Sequence, residues 1–207
     1  MFNFVYYNPV RVVFGRDTIS ELPKLVPAGV KVMITYGGGS IFRNGVYDQV
    51  KKALADFTMV EFGGIEANPH YETCMKAVET VRRERVGFLL AVGGGSVVDA
   101  TKFIAAAVHW KNGDPWDFLA SHNPELTEAV PFGCVITLPA TGSEMNCGAV
   151  ITRASTHEKY HFIDPMVFPR FSVIDPQTTF SLPQRQTLNG IADTFAHVME
   201  QYVTYDV

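Results

Sequence analysis

"LLAVGGGSVVDATKFIAAAV", residues 89–108, sets three glycines and a serine between an apolar run and an alanine-rich apolar run. The first run is short and branched, as in a buried strand, and the second is long enough for a buried helix. Each glycine carries an entropic cost, so three in succession require a reason. Gly93, Gly94 and Gly95 would leave the strand and open the helix at Ser96. A helix N-terminus offers free N–H groups and partial positive charge, and glycine lets an anion approach them with no β-carbon in the way. At the carboxyl end of a parallel strand this is where α/β proteins bind nucleotides, so the expected occupant is a pyrophosphate. The competing reading is a tight βα turn with no ligand. The spacing is not Gly-x-Gly-x-x-Gly.

Outward from this stretch, strand and helix patterns alternate. Strands are expected at 10–15, 31–35, 58–62 and 87–92, and helices at 45–57, 71–85 and 96–109, with a short helix in "TISELPKLV". Such alternation predicts a parallel sheet covered on both faces, a Rossmann-like α/β fold. Beyond 110, "KNGDPWDFLASHNPE" reads as a loop, and "CVITLPATGSE" as a strand ending at Pro139. Short strands follow near 148–153, 159–163 and 171–174. Residues 181–207 read as one amphipathic helix, started by a Ser181/Gln184 capping box with Pro183 in the first turn.

The chain has 207 residues, of which 47% are hydrophobic and 18% charged, enough apolar material for a core. A net charge of −4 without a basic run argues against nucleic acid. Apolar stretches are interrupted well before a membrane span, and the N-terminus lacks signal-peptide character. The three unpatterned cysteines, Cys74, Cys134 and Cys147, fit a reducing cytoplasm.

Other stretches carry candidate chemistry. "TYGGGS" (35–40) also follows a strand, with no Asp or Glu between Lys31 and Asp48 to hold a ribose 2′-hydroxyl. Gly37, Gly38, Gly39 and Ser40 would leave room and donors for a 2′-phosphate, which favours NADP over NAD; a flexible loop is the alternative. Asp99 sits in an otherwise apolar helix, and either pairs with Lys102 or meets a ligand. In "LPATGSEMN", Thr137 and Thr141 could donate to phosphate or ribose and Asn146 to a ring amide, although alone the stretch is a turn and Lys159 a surface lysine. Asp193 and His197, four apart, share one helix face and could hold one divalent ion. On spacing alone that pattern is common by chance, and a solvated face opposite Leu188, Ile191, Phe195, Met199 and Tyr202 is the rival reading.

Together, "ITYGGGS", "FGGIEANP", "FLLAVGGGSVVDATKFIAAA", "LPATGSEMN", "DPQTTFSLP" and "NGIADTFAHVMEQYVT" resemble the iron-containing alcohol dehydrogenase superfamily, in its NADPH-dependent butanol dehydrogenase and aldehyde reductase branch. The resemblance implies a dinucleotide-binding α/β domain, 1–180, followed from 181 by the start of a helical metal-binding domain. It implies a homodimer acting on primary alcohols and aldehydes. Its pyrophosphate loop falls on Gly94, Gly95 and Ser96 with the acid Asp99, and its 2′-phosphate loop on Gly37–Ser40. Asn68, Thr137, Thr141, Asn146, Lys159 and Thr178 match further cofactor contacts. Asp193 and His197 match the first two ligands of a divalent metal, iron foremost with zinc possible. The family's two further histidine ligands fall beyond Val207, so the expectation is a piece of a longer enzyme. No side chain of this segment is read as a general acid. Rival readings are a non-catalytic NADP-binding module and a metal-dependent lyase like dehydroquinate synthase.

Overall fold

The computed structural model describes residues 3–121 and 126–204. Its strands are β1 (Arg11–Phe14), β2 (Val32–Tyr36), β3 (Met59–Phe62), β4 (Phe88–Gly94), β5 (Phe132–Leu138), β6 (Gly148–Arg153), β7 (Glu158–Ile163) and β8 (Phe171–Ile174). Six of them form one sheet in the order β1-β8-β5-β4-β2-β3, and every pairing in it is parallel. The remaining two, β6 and β7, make an antiparallel hairpin. The helices are α1 (Leu22–Leu25), α2 (Ser40–Arg43), α3 (Val46–Ala53), α4 (Tyr71–Glu84), α5 (Gly95–Ala107), α6 (Pro115–Ala120) and α7 (Gln184–Val203).

The period of two along the strands divides the core between the sheet's faces. On β4, Leu89 and Ala91 pack with Cys74, Ala77 and Val78 of α4 and Phe103 and Ile104 of α5. Phe88, Leu90 and Val92 point the other way, to Ile19, Leu22 and the α3 residues Val46 and Val50. Both faces are therefore covered, as the run of apolar residues on β2, β4 and β5 requires. Helix α5 is buried nearly all round because the sheet, α4 and the hairpin all pack on it.

The chain goes from β2 outward to β3 and then crosses back over β2 to β4. The strand order reverses between β2 and β4, which opens a crevice beyond their carboxyl ends.

Three local expectations differ from the structure. Part of the expected loop at 111–125 is the helix α6: Asp114 caps it by accepting from the Trp116 N–H, Pro115 takes the first position, and Trp116, Phe118 and Leu119 are buried. The helical signal was Asp-Pro at a helix start, obscured by the Gly- and Asn-rich flanks. The capping box at Ser181 does not form; Pro183 is the N-cap residue, and the Ser181 hydroxyl donates to the Thr178 carbonyl and accepts from Asn44. The third concerns α7, in which no residue is buried; Leu188, Ile191, Phe195 and Tyr202 all stand exposed. Residues 122–125 of the expected loop and 205–207 of the expected helix lie outside the described residues.

Candidate functional site

Loops at the carboxyl ends of β2, β3, β4 and β5 converge on the crevice at the strand reversal. Gly37–Ser40, Ile65–Ala67, Gly93–Val97, Thr137, Leu138 and Leu182 line a cavity of about 280 Å³ there. The two glycine runs, 56 residues apart in sequence, therefore face one space. Backbone bonds hold the rim: the Gly64 N–H donates to the Gly37 carbonyl and the Ile65 N–H to that of Tyr36.

The glycines do different jobs. A β-carbon on Gly93 would run into the Val97 side chain, and one on Gly95 into Thr141, so the packing of the protein itself demands these two. Gly94 is closely approached by Leu138 at 3.3 Å. Gly38 has nothing within 4 Å of where its β-carbon would lie, and its φ is not positive. Neither packing nor backbone strain explains a glycine at 38. The free space beside it, in a glycine-lined cavity at the start of α2, is a cradle that a β-carbon would fill. With the α5 N-terminus opening at Gly95, that cradle fits a dinucleotide phosphate.

Three expected contact residues meet beside this loop. The Asn68 N–H donates to Ser96 Oγ at 3.3 Å, and Lys159 Nζ donates to Asn68 Oδ1 at 3.0 Å. Asn68 adopts a left-handed conformation (φ 60°), which asparagine tolerates better than most residues. Exposed Lys159 thus brings a positive charge from β7 to the rim. Thr141 Oγ1 accepts from the Ser143 N–H above Gly95, and Thr137 lines the cavity wall. Thr178 does not line the cavity: it is buried, and its hydroxyl faces the carbonyls of Ile136 and Asp175 at 3.0 and 2.8 Å.

Asp99 and Lys102 prove to be linked through a third residue. Ser143 Oγ donates to Asp99 Oδ1 at 2.5 Å and accepts from Lys102 Nζ at 2.9 Å. Asp99 Oδ2 accepts from the Val150 N–H, and Lys102 also donates to Asn146 Oδ1 and the Gly148 carbonyl, both at 2.7 Å. Burial raises the Asp99 carboxyl above its ordinary range, against the Ser143 hydroxyl and the Lys102 charge that favour ionisation. Burial likewise pushes Lys102 down to about 8, against the pull of Asp99. Both side chains of this network fasten β6 to α5. Sequence reasoning left Asp99 between a partner in Lys102 and a ligand, and missed Ser143 as the bridge and Lys102 as the hub. The available signal was a lysine three residues after Asp99 in a mostly apolar helix.

Glu66, which sequence reasoning also missed, lines the cavity from the loop after β3. Its oxygens accept from Thr73 Oγ1 at 2.6 Å and the His70 N–H at 3.4 Å. Burial would raise its carboxyl, but these donors hold it below its usual range.

On α7, Asp193 Oδ2 lies 3.7 Å from His197 Nε2, and His197 Nδ1 lies 3.3 Å from Glu200 Oε2. All three are exposed, at 51%, 62% and 73% of the side chain. Asp193 and His197 fit as two donors of a divalent site, with oxygen and nitrogen side by side on one face. Among the described residues no group of three or more His, Cys, Asp or Glu could hold a metal. A second, larger hollow of about 650 Å³ lies between α7 (Gln186, Thr187, Gly190, Ile191, Thr194) and the end of β5 at Leu138 and Pro139.

This architecture defines a doubly wound parallel α/β protein with a glycine-lined cleft at its topological switch point. Residues 9–176 match the model of the family described as iron-containing alcohol dehydrogenase, and the chain belongs to that family. It is 53% identical over its whole length to the NADPH-dependent aldehyde reductase YqhD of Escherichia coli (strain K12), of which it covers 54%. Over 98% of its length it is 49% identical to the probable NADH-dependent butanol dehydrogenase 1 of Bacillus subtilis (strain 168), of which it covers 52%. The chain thus spans about half the length of these relatives. The substrate- and cofactor-free structure of the E. coli reductase superposes with a TM-score of 0.92, at 50% identity over all of this chain and 53% of the other. The NADH-dependent butanol dehydrogenase A of Thermotoga maritima superposes at 0.88, with 43% identity over 96% of this chain and 50% of the other.

Proposed function

We propose that the whole protein reversibly transfers hydride between NADP(H) and a primary alcohol or aldehyde, such as butanol or butyraldehyde, with the help of a divalent metal. The observation that carries this reading is the cavity shared by Gly37–Ser40 and Gly93–Ser96. When bound, NADPH supplies the hydride and a divalent ion, iron foremost, supplies Lewis acidity toward the carbonyl oxygen. Asp193 and His197 would hold that ion as two of its ligands. The α5 N-terminus and Lys159 would neutralise the pyrophosphate, and Gly38–Ser40 would admit the 2′-phosphate. The names of the relatives divide between NADPH and NADH. NADP(H) is favoured because the loop after β2 bears no carboxylate and the Glu66 oxygens are already engaged by Thr73 and His70.

In this reading residues 1–180 form the nucleotide-binding unit, 181 onward begins a helical metal-binding unit, and the protein is a homodimer. It works in the cytoplasm, as its three free cysteines suit a reducing compartment. No described helix is long and apolar enough to cross a membrane.

The test is consumption of NADPH by butyraldehyde with the full-length, iron-loaded protein, alongside calorimetric titration of cofactor and metal. Turnover supports the reading. Cofactor binding without metal uptake would indicate a non-catalytic module, and failure to bind NADPH would reject the site.

A further inference from the structure

The chain holds three Asn-Gly pairs, at 44–45, 112–113 and 189–190. An asparagine before glycine is suited to spontaneous side-chain chemistry, because no β-carbon on the glycine blocks its backbone nitrogen from reaching the asparagine carbonyl. The three pairs are equal as dipeptides, and the fold makes them unequal. Asn189 and Gly190 lie inside α7. In a helix each N–H bonds to the carbonyl four residues back, so ring closure there requires Asn189 to leave helical ψ and that bond to break. Asn44 is held at both ends of its amide: Oδ1 accepts from the Val46 N–H at 3.2 Å, and Nδ2 donates to Ser181 Oγ at 3.3 Å. Asn112 differs from both. It and Gly113 are exposed and lie between α5 and α6, outside any helix or strand. Among the described residues no hydrogen bond engages the Asn112 side chain or the Gly113 N–H. The φ of Gly113 is 102°, so the turn itself requires the residue type that leaves the nitrogen open.

We propose that Asn112 is a site of spontaneous deamidation, the one of the three pairs that the native fold leaves open to it. The Gly113 nitrogen attacks Asn112 Cγ: an N–Cγ bond forms, the Cγ–Nδ2 bond breaks, and ammonia leaves with the proton from Gly113. Water then opens the resulting cyclic imide at either carbonyl, giving an aspartate or an isoaspartyl linkage. Nothing is oxidised or reduced, and solvent water is the only co-reactant. The product adds a carboxylate to the exposed loop that follows Lys111. The isoaspartyl form is also an acceptor for a methyltransferase that esterifies such linkages.

The full-length protein is incubated in mildly alkaline buffer and sampled over weeks by peptide mass mapping. Isoaspartyl linkages are scored by methyl transfer from S-adenosylmethionine with an isoaspartyl methyltransferase. The same protein unfolded in urea is the control, in which each pair has only its local sequence. In the native protein Asn112 should convert at least about tenfold faster than Asn44 or Asn189, which react only through local opening. In urea the three rates should fall within about threefold of one another, since that protection is gone. Methyl acceptance in the native protein should rise with Asn112 conversion and be lost in Asn112→Gln, whose longer side chain disfavours the ring. Native rates that match at the three pairs overturn the inference. So does an Asn112 that stays intact in the native protein while its counterpart in urea reacts, or methyl acceptance that persists in Asn112→Gln.

Discussion

The side chain of Thr141 occupies the space that a β-carbon on Gly95 would need. A residue of the loop after β5 thereby closes down on the first residue of α5, and the absence of a side chain at 95 is a packing requirement. Gly95→Ala should therefore shift the loop and lower stability by about 1–3 kcal/mol, as overpacking does. Thermal unfolding reads this, and adding Thr141→Gly should recover most of it. Gly38→Ala, with open space around it, should leave the unfolding free energy within about 0.5 kcal/mol of the parent while weakening NADPH. Equal stability losses for the two alanine variants would contradict the division of roles.

Removing Lys102 should be among the more damaging single changes in the α5 region. Lys102→Met strands Asp99 in a buried setting and leaves Asn146 Oδ1 and the Gly148 carbonyl without their common donor. The expected loss is about 3–5 kcal/mol in denaturant unfolding. The paired change Lys102→Met with Asp99→Asn should cost less than the sum of the two singles, since the second removes the uncompensated charge.

Glu72, in the first turn of α4, accepts the N–H groups of Ala154 and Ser155 at 3.2 and 3.1 Å and so ties the β6–β7 turn to the helix. Burial alone would raise its carboxyl, but the N–H donors outweigh it and bring it down to about 2. A depressed carboxylate contributes its stability in full above its unfolded value and loses it as pH falls toward the folded one. Glu72→Ala should thus cost about 1 kcal/mol at neutral pH, modest because solvent screens the group. The gap from the parent should close between about pH 4.5 and pH 2, the window set by the unfolded and folded values. Melting temperatures of both proteins across that range check the sign.

Lys159 stands exposed with Nζ on Asn68 Oδ1, so its removal opens no cavity. Lys159→Ala should change stability by less than about 0.5 kcal/mol. It should weaken NADPH by about five- to tenfold at low ionic strength, with the deficit shrinking as salt rises. A deficit insensitive to salt would show that the lysine acts through Asn68 alone and not through its charge.

The alternation of strands and helices, and with it the parallel sheet, could be read from the chain because each element buries a continuous apolar run whose period is local. The glycine runs were legible as close-approach points for the same reason: a backbone without β-carbons announces itself in one dimension. Read alone, the sequence therefore determined the fold class, the placing of the loops at strand ends and the family's motifs. It did not determine which glycines serve packing and which leave open space, since Thr141 and Gly95 meet only through β5 and α5. Nor could it decide that Asp99 and Lys102 communicate through Ser143, or that Glu66 faces the cleft. Lys102 finds its acceptors 41, 44 and 46 residues away. Which of the chain's many hydroxyls and carbonyls would reach a buried ammonium was settled by how β6 packs on α5, because a hydrogen bond depends on distance and direction in space and leaves no period in the sequence.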